Sequence, residues 1–395
     1  MTDTARHGLP ALSEQIVSLV MSRLRRGELT LVLSNGAEKH FVGSEPGPVA
    51  RVEIHNPRGA RQLLASTNIG LAEGYMDGNW DTPDLDAVLG LGLANLVDRP
   101  AALTPPTTPF QRAWHKLRDN SERGSKKNIA HHYNLGNDFY ALWLDDTMAY
   151  SSAMFAGDEA LGAAQVRKWD HLLDLLQPTS KDHILEIGCG WGGFAMHAAE
   201  KSGCKVTGVT LSDEQHAWAV RSVAEAGLEG KVDVRLQDYR AVPETFTAIA
   251  SIEMFEAVGE RWWPVFFQRV RDLLAPGGVA ALQTITIDEI RFDDYRRKPD
   301  FIQRYIFPGG MLPSPERFKA AAETSGFRVD DPTHFGASYS RTLREWQKRF
   351  ESAVPGIRDL GFDDHFVRMW RYYLAYCRAG FDAETIDVIQ VRLEA

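Results

Sequence analysis

Cysteine is scarce: 395 residues contain three, Cys189, Cys204 and Cys377, far apart and without a C-x-x-C pair. That excludes a disulfide framework, gives no zinc-ligand spacing and fits a reducing compartment. Long apolar runs are missing too. No stretch reaches the roughly 18 uninterrupted apolar residues that span a bilayer, and the apolar run 16–21 is short and leads straight into Arg23, Arg25 and Arg26, unlike a signal-peptide core. The expected location is cytoplasmic, with any membrane contact peripheral, at the inner face. There is no excess of positive charge either. Lys and Arg number 44 against 53 Asp and Glu, a net charge of -9, which argues against nucleic acid held by general electrostatics. No metal site and no nucleic-acid partner are expected.

What is present is globular: 44% hydrophobic and 25% charged residues, with ten Trp and nineteen Phe. The length exceeds one ordinary core, so two domains are expected. Ser13 is placed to cap a helix carrying Ile16, Val17, Leu19, Val20 and Leu24, with Gly27 to end it. The stretch LTLVLSNG then alternates towards a hairpin turn at Asn35-Gly36. Residues 1–98 thus form a small α+β domain. A linker with Pro100, Pro105, Pro106 and Pro109 follows. Within the linker and basic segment 99–127, residues 111–127 hold six basic residues (Arg112, Lys116, Arg118, Arg123, Lys126, Lys127) against Asp119 and Glu122. This segment is either a surface for anionic lipid head groups or an ordinary solvated linker.

From residue 183 apolar runs alternate with helical patterns: HILEIG, KVTGVTLS, VDVRL, FTAIASIEMF and GGVAALQTITI are the strand candidates. Such alternation implies βαβ units and a mostly parallel sheet, an α/β fold over the second domain, residues 128–395. The run Leu185-Glu186-Ile187-Gly188-Cys189-Gly190-Trp191-Gly192-Gly193 falls where the first strand turns into the first helix. Gly188, Gly190 and Gly193 satisfy the bare G-x-G-x-x-G spacing of a dinucleotide loop. However, the next strand ends in Val209-Thr210-Leu211-Ser212, with no carboxylate to take a ribose diol in the NAD manner. Glu186, two positions before the first glycine, matches the E/D-x-G-x-G pattern of class I methyltransferases, so a nucleoside sulfonium is favoured over a dinucleotide.

Several blocks, in order across roughly residues 130–380, carry a resemblance to the cyclopropane-fatty-acyl-phospholipid synthase family, which includes the mycolic-acid methyltransferases. They are HYNLGNDFY from His132, the glycine loop, GVTLSDEQ from Gly208, LQDYR from Leu236, MFEAVG from Met254, YIFPGG from Tyr305 and HFGASY from His334. Upstream, GYMDGNW from Gly74 resembles the N-terminal domain of the longer, phospholipid-modifying members. The resemblance implies a Rossmann-like class I methyltransferase sheet with a smaller N-terminal α+β domain, and S-adenosylmethionine as donor. It further implies unsaturated acyl chains of membrane phospholipids as acceptor, a membrane surface as partner, and a homodimer. It places Tyr133 and Ser151 beside the donor, with Tyr150, Glu186 and Leu211 near them. Gly188, Gly190 and Gly192 fall at its amino-acid part, Thr210 and Gln215 at its ribose, and Gln237 and Asp238 at its adenine.

In that family a bicarbonate ion serves as base, held by Cys, Glu, His, a backbone group of Ile, and Tyr. Glu256, Ile285 and Tyr339 match, whereas Ser152 stands at the Cys position, Gln283 at the His position, and Ala257 where His is common. Gln donates hydrogen bonds but cannot become cationic or shuttle a proton, so bicarbonate binding is open. Without a base at the new methyl group, a methyl-branched alkene is expected somewhat ahead of a cyclopropane ring. The aromatic-rich last third, including Phe301, Tyr305, Phe307, Trp346, Phe350, Phe366, Trp370, Tyr372, Tyr373 and Phe381, reads mostly as core with a few tunnel walls. Two further readings stay open: a methyltransferase for a small polar substrate, and a non-catalytic binder of donor or lipid.

Overall fold

The computed structural model describes residues 11–64, 68–96 and 135–395. Tyr133, the linker and the basic segment lie outside the described residues. The chain divides into two units. The first joins the N-terminal segment to Arg358–Ala383, and the second runs to Ile357 and resumes at Glu384–Ala395. A continuous second domain over 128–395 therefore differs from this division, because the helix Asp364–Asp382 packs with the first unit.

In the first unit, strands β1 (Arg26–Val32), β2 (Glu38–Val42), β3 (Glu45–Ile54) and β4 (Trp80–Asp81) form a sheet in the order β2-β1-β3-β4. β1 and β2 make the expected antiparallel hairpin around Gly36, which has φ 81°. Leu29 and Leu31 alternate inward from β1 and are buried. The preceding helix, Leu12–Met21, departs from expectation at both ends. Glu14, not Ser13, closes its start by accepting from the N–H groups of Ala11 and Ser34. Gly27 lies within β1 at a register shift, φ 78°, where a Cβ would strike the Pro48 carbonyl. It is a bulge glycine rather than a helix stop.

GYMDGNW is explained by packing. Trp80 is fully buried and donates to the Leu71 carbonyl at 3.0 Å. A Cβ on Gly74 would lie 2.7 Å from its indole. Arg368 stacks on Tyr75, 4.0 Å from the ring centroid, and binds Asp81 at 3.1 Å. Trp370, Tyr372, Tyr373 and Phe381 of the same helix are buried in this unit, so they are core. Gly74→Val is expected to cost on the order of 1–3 kcal/mol by overpacking, seen as a lowered Tm with little change in the donor affinity of the protein that stays folded.

In the second unit, β5 (His183–Ile187), β6 (Lys205–Thr210), β7 (Val232–Leu236), β8 (Phe246–Ile252) and β9 (Leu274–Ile287) are parallel neighbours. β10 (Arg328–Val329), β11 (Thr333–His334) and β12 (Ile386–Glu394) complete the sheet, with β12 antiparallel to β9. The order β10-β12-β9-β8-β5-β6-β7 reverses direction between β5 and β8. β5, β6, β8 and β9 are mostly buried on both faces, as a covered parallel sheet requires, while the edge strand β7 turns Asp233 and Arg235 outward. Leu185 and Ile249 enter one core with Phe266 and Phe267, while Ile184, Ala248 and Ala250 enter the other with Leu172 and Phe194. Ligands of such sheets bind beyond the carboxyl ends of the strands at the reversal, which is where the glycine loop and the end of β8 lie.

Candidate active site

β5 ends at Ile187, and the chain turns through Gly188, Gly190 and Gly192 at φ 82°, 52° and 87°, a region that favours glycine. A Cβ on Gly188 would press on Met254 at 2.8 Å and one on Gly192 on Ala219 at 3.2 Å, whereas Gly190 faces open space. The loop is packed on one side and clear on the other, so a ligand can reach its backbone. Glu186 is buried beside it, and its Oε2 has no hydrogen-bond partner. Burial pushes its carboxyl well above the usual range, against the pull of Lys168 and the Ala195 N–H. An orphaned acid next to a glycine cradle fits a ligand carrying an ammonium group, as the amino-acid part of S-adenosylmethionine does.

At the end of β6, Thr210 Oγ donates to Gln215 Oε1 at 3.0 Å. Ser212 caps the next helix by accepting from the Gln215 N–H at 3.3 Å. The cap holds the expected ribose pair together with Leu211 between them in the chain. The Gln237 N–H donates to the Thr210 carbonyl at 3.0 Å, setting it alongside. Asp238 is more committed than expected: its two oxygens accept from Arg240 Nε at 2.9 Å and Nη2 at 2.6 Å. An adenine amino group there must share that carboxylate with Arg240.

Tyr150 sits in an aromatic group, its centroid 5.4 Å from both Tyr140 and Trp346 and 5.7 Å from Trp143. Ser151 accepts from Lys168 Nζ at 2.7 Å, and Lys168 is fully buried. Burial lowers this ammonium to about 8, opposed by Glu253, Asp145 and Glu186. Sequence reasoning missed Lys168, since a lysine on a helix ordinarily points to solvent.

Three of the expected catalytic residues, Ser152, Gln283 and Tyr339, converge on a residue the sequence reading passed over. Glu253 Oε1 accepts from the Ser152 N–H at 2.8 Å and from Gln283 Nε2 at 2.7 Å, and Oε2 accepts from Tyr339 OH at 2.7 Å. The Ser152 hydroxyl donates to the Ala153 carbonyl instead. Glu256 Oε1 accepts from Thr284 Oγ at 2.9 Å and from the Ile285 N–H, while its Oε2 is buried without a partner. The groups expected to hold bicarbonate are therefore already engaged by two carboxyls of the chain. Bicarbonate does not fit this arrangement as an additional ion.

The two acids differ in charge. Burial and then the charge of Glu253 push Glu256 up to about 8, so it carries a proton at neutral pH. Burial raises Glu253 as well, but Lys168, Tyr339, Ser152 and Gln283 all pull it back. Glu253 stays raised on balance, but with three donors and the charge of Lys168 directed at it, it is the better placed of the two to hold the negative charge.

Sheet order, glycine loop and acid pair define a class I S-adenosylmethionine-dependent methyltransferase. The mycolic acid cyclopropane synthetase family model matches residues 120–391, and the chain belongs to that family. It is 39% identical to the tuberculostearic acid methyltransferase of Mycobacterium tuberculosis, over 98% of this chain and 92% of that one. It is 34% identical to the cyclopropane-fatty-acyl-phospholipid synthase of Escherichia coli K12, over 88% of each. A solved mycolic acid cyclopropane synthase in complex with SAH and CTAB superposes at TM-score 0.65 and 31% identity, covering 68% of this chain and 98% of that one.

Proposed function

We propose that the enzyme methylates the cis double bond of unsaturated acyl chains in membrane phospholipids and yields a methyl-branched unsaturated chain. The observation that carries this reading is the Glu253 carboxylate, which takes three of the donors that would otherwise hold a free anion. Bound at the glycine loop, S-adenosylmethionine supplies an electrophilic methyl group. The alkene π pair forms the new carbon–carbon bond as the sulfur–methyl bond breaks, leaving a cation on the adjacent chain carbon. Glu253 stabilises that charge and accepts the proton whose loss restores a neutral alkene. The protonated Glu256 adds no second negative charge and so leaves Glu253 the single base.

The product assignment rests on tethering. A free anion can follow the new methyl group, whereas Glu253 is held by Ser152, Gln283 and Tyr339 and meets the chain in one place. Gln283, unlike a histidine, cannot pass the proton on. The 39% identity to a tuberculostearic acid methyltransferase supports a lipid acceptor. Incubation with labelled S-adenosylmethionine and cis-monounsaturated phospholipid vesicles should add one CH₂ per acyl chain by mass spectrometry, with the branched isomer separating from the ring. Ring product alone would overturn the branching assignment. No increment despite donor binding would favour a small polar acceptor or a non-catalytic role.

A phospholipid acceptor also requires contact with a membrane surface. No described helix is long and apolar enough to cross a membrane. The helix Leu12–Met21 exposes Leu12 at 72%, Ile16 at 42% and Leu19 at 62%, one apolar stripe. It packs on the helix Pro57–Leu64, which carries exposed Arg58 and Arg61. An apolar stripe flanked by arginines suits an anionic interface. Leu12→Asp with Leu19→Asp should weaken sedimentation with anionic vesicles at least tenfold without changing donor affinity. Unchanged sedimentation would remove this helix from the docking face.

A further inference from the structure

A row of buried polar side chains runs away from Glu253 across three strands. Gln283 on β9 lies directly opposite Gln390 on β12, and Gln390 lies opposite Thr333 on β11. Gln283 and Gln390 are 1% and 0% exposed. Gln283 Nε2 donates to Glu253, and Gln390 Nε2 donates to Gln283 Oε1 at 2.8 Å. Gln390 Oε1 lies 2.6 Å from Nδ1 of the half-buried His171, whose Nε2 lies 3.4 Å from Thr333 Oγ.

We infer that His171 and Gln390 are positioning residues for the base, fixing through Gln283 which end of its amide faces Glu253. This rests on Glu253 being the base. An amide can present either its NH₂ or its carbonyl, and the two choices have opposite effects on a carboxylate. With NH₂ towards Glu253 the ionised form is stabilised. With the carbonyl towards it, two acceptors meet and the carboxyl is driven to keep its proton.

Gln283 Nε2 has only a long second contact, to the Ser152 carbonyl at 3.4 Å, and its other end must match Gln390. Gln390 is fixed twice. Its Nε2 also donates to the Lys168 carbonyl at 3.1 Å, and reversing it would set carbonyl against carbonyl. Its Oε1 requires a donor from His171, since two lone pairs at 2.6 Å repel. Nδ1 of His171 therefore carries a hydrogen, and it acts with the Lys168 carbonyl to set the direction of the donors in the row.

The decisive variants are Gln390→Glu, which keeps the shape but offers at most one donor where Gln390 supplies two, to Gln283 and to the Lys168 carbonyl, and His171→Phe, which keeps a ring but no donor and leaves the buried amides in place. For each, kcat should fall about tenfold or more while the Kd for S-adenosylmethionine stays within about twofold, a split that general unfolding would not give. His171→Asn, which restores an N–H donor, should recover part of the loss. Adding His171→Phe to Gln283→Leu should cause no further loss, because the effect travels through Gln283. Wild-type kcat in Gln390→Glu and His171→Phe, or losses that multiply with that of Gln283→Leu, would overturn the inference. Glu253→Gln separates the two levels: if it is inactive while Gln390→Glu is normal, only the positioning role fails. If Glu253→Gln is fully active, the base assignment fails and the positioning role with it.

Discussion

Glu253→Gln should lose turnover on the order of 10²- to 10⁴-fold, the usual contribution of a positioned general base, and should still bind S-adenosylmethionine. Glu256→Gln should stay within about tenfold of the parent at neutral pH. The contrast follows from the charges. Glutamine mimics a protonated glutamic acid in shape and hydrogen bonding, and Glu256, pushed up to about 8, is already protonated at pH 7. Its Oε1 accepts from Thr284 and Ile285, which an amide oxygen does equally well. Glu253 instead has its oxygens directed at three donors and faces the charge of Lys168. An amide there places an NH₂ against one of those donors and has no lone pair basic enough to take a proton. Product formation by mass spectrometry with donor binding by calorimetry decides the matter. Equal loss in both variants would mean that the two acids share one proton, and loss in Glu256→Gln alone would reverse the assignment.

Much of the second unit was legible because short, mostly apolar runs alternate there with helical patterns. HILEIG, KVTGVTLS and VDVRL fall on β5, β6 and β7. The glycine loop was legible from glycine itself, which fills three left-handed positions within five residues. Thr210 and Gln215 were both expected at the ribose of the donor, and the Ser212 cap beside them is itself a sequence signal. The first unit was less transparent. That the helix Asp364–Asp382 packs with it depends on contacts such as Arg368 with Tyr75 and Asp81, about 290 positions apart in sequence, and no local pattern encodes such a distance.

The acid that matters most was hidden by its neighbour. In Ile252-Glu253-Met254-Phe255-Glu256 the resemblance falls on Glu256, and Glu253 passed without a role inside the strand candidate FTAIASIEMF. What turns it inward is its backbone, at φ 49°, a conformation few non-glycine residues adopt. Lys168, Gln390 and His171 were missed for a related reason. Each looks ordinary within its own helix or strand, and each matters only because β9, β12 and the helix Leu161–Leu176 bring them together. Strain of this kind at a site is a reason to ask what the side chain is held there to do.

That strain also makes the other large effect testable. Glu253→Gly relieves the left-handed backbone, worth about 1–2 kcal/mol, and leaves the Ser152 N–H, Gln283 Nε2 and Tyr339 OH facing a space the size of a carboxylate. Unpaired buried donors cost about 1–3 kcal/mol each, so the variant should be somewhat less stable yet folded, and it should bind a small anion. Without added anion its turnover should fall by about 10²-fold or more. Bicarbonate, formate or acetate should restore part of it in a saturable manner, while the parent enzyme stays indifferent to all three because its own carboxylate fills the place. A free anion is no longer tied to one position on the acyl chain and can reach the new methyl group, so the rescued variant should yield a larger share of cyclopropane ring than the parent. Rescue without a change in product would keep Glu253 as the base and detach product choice from its tether. No rescue in a folded, donor-binding variant would mean that these donors serve Glu253 only as a structural prop.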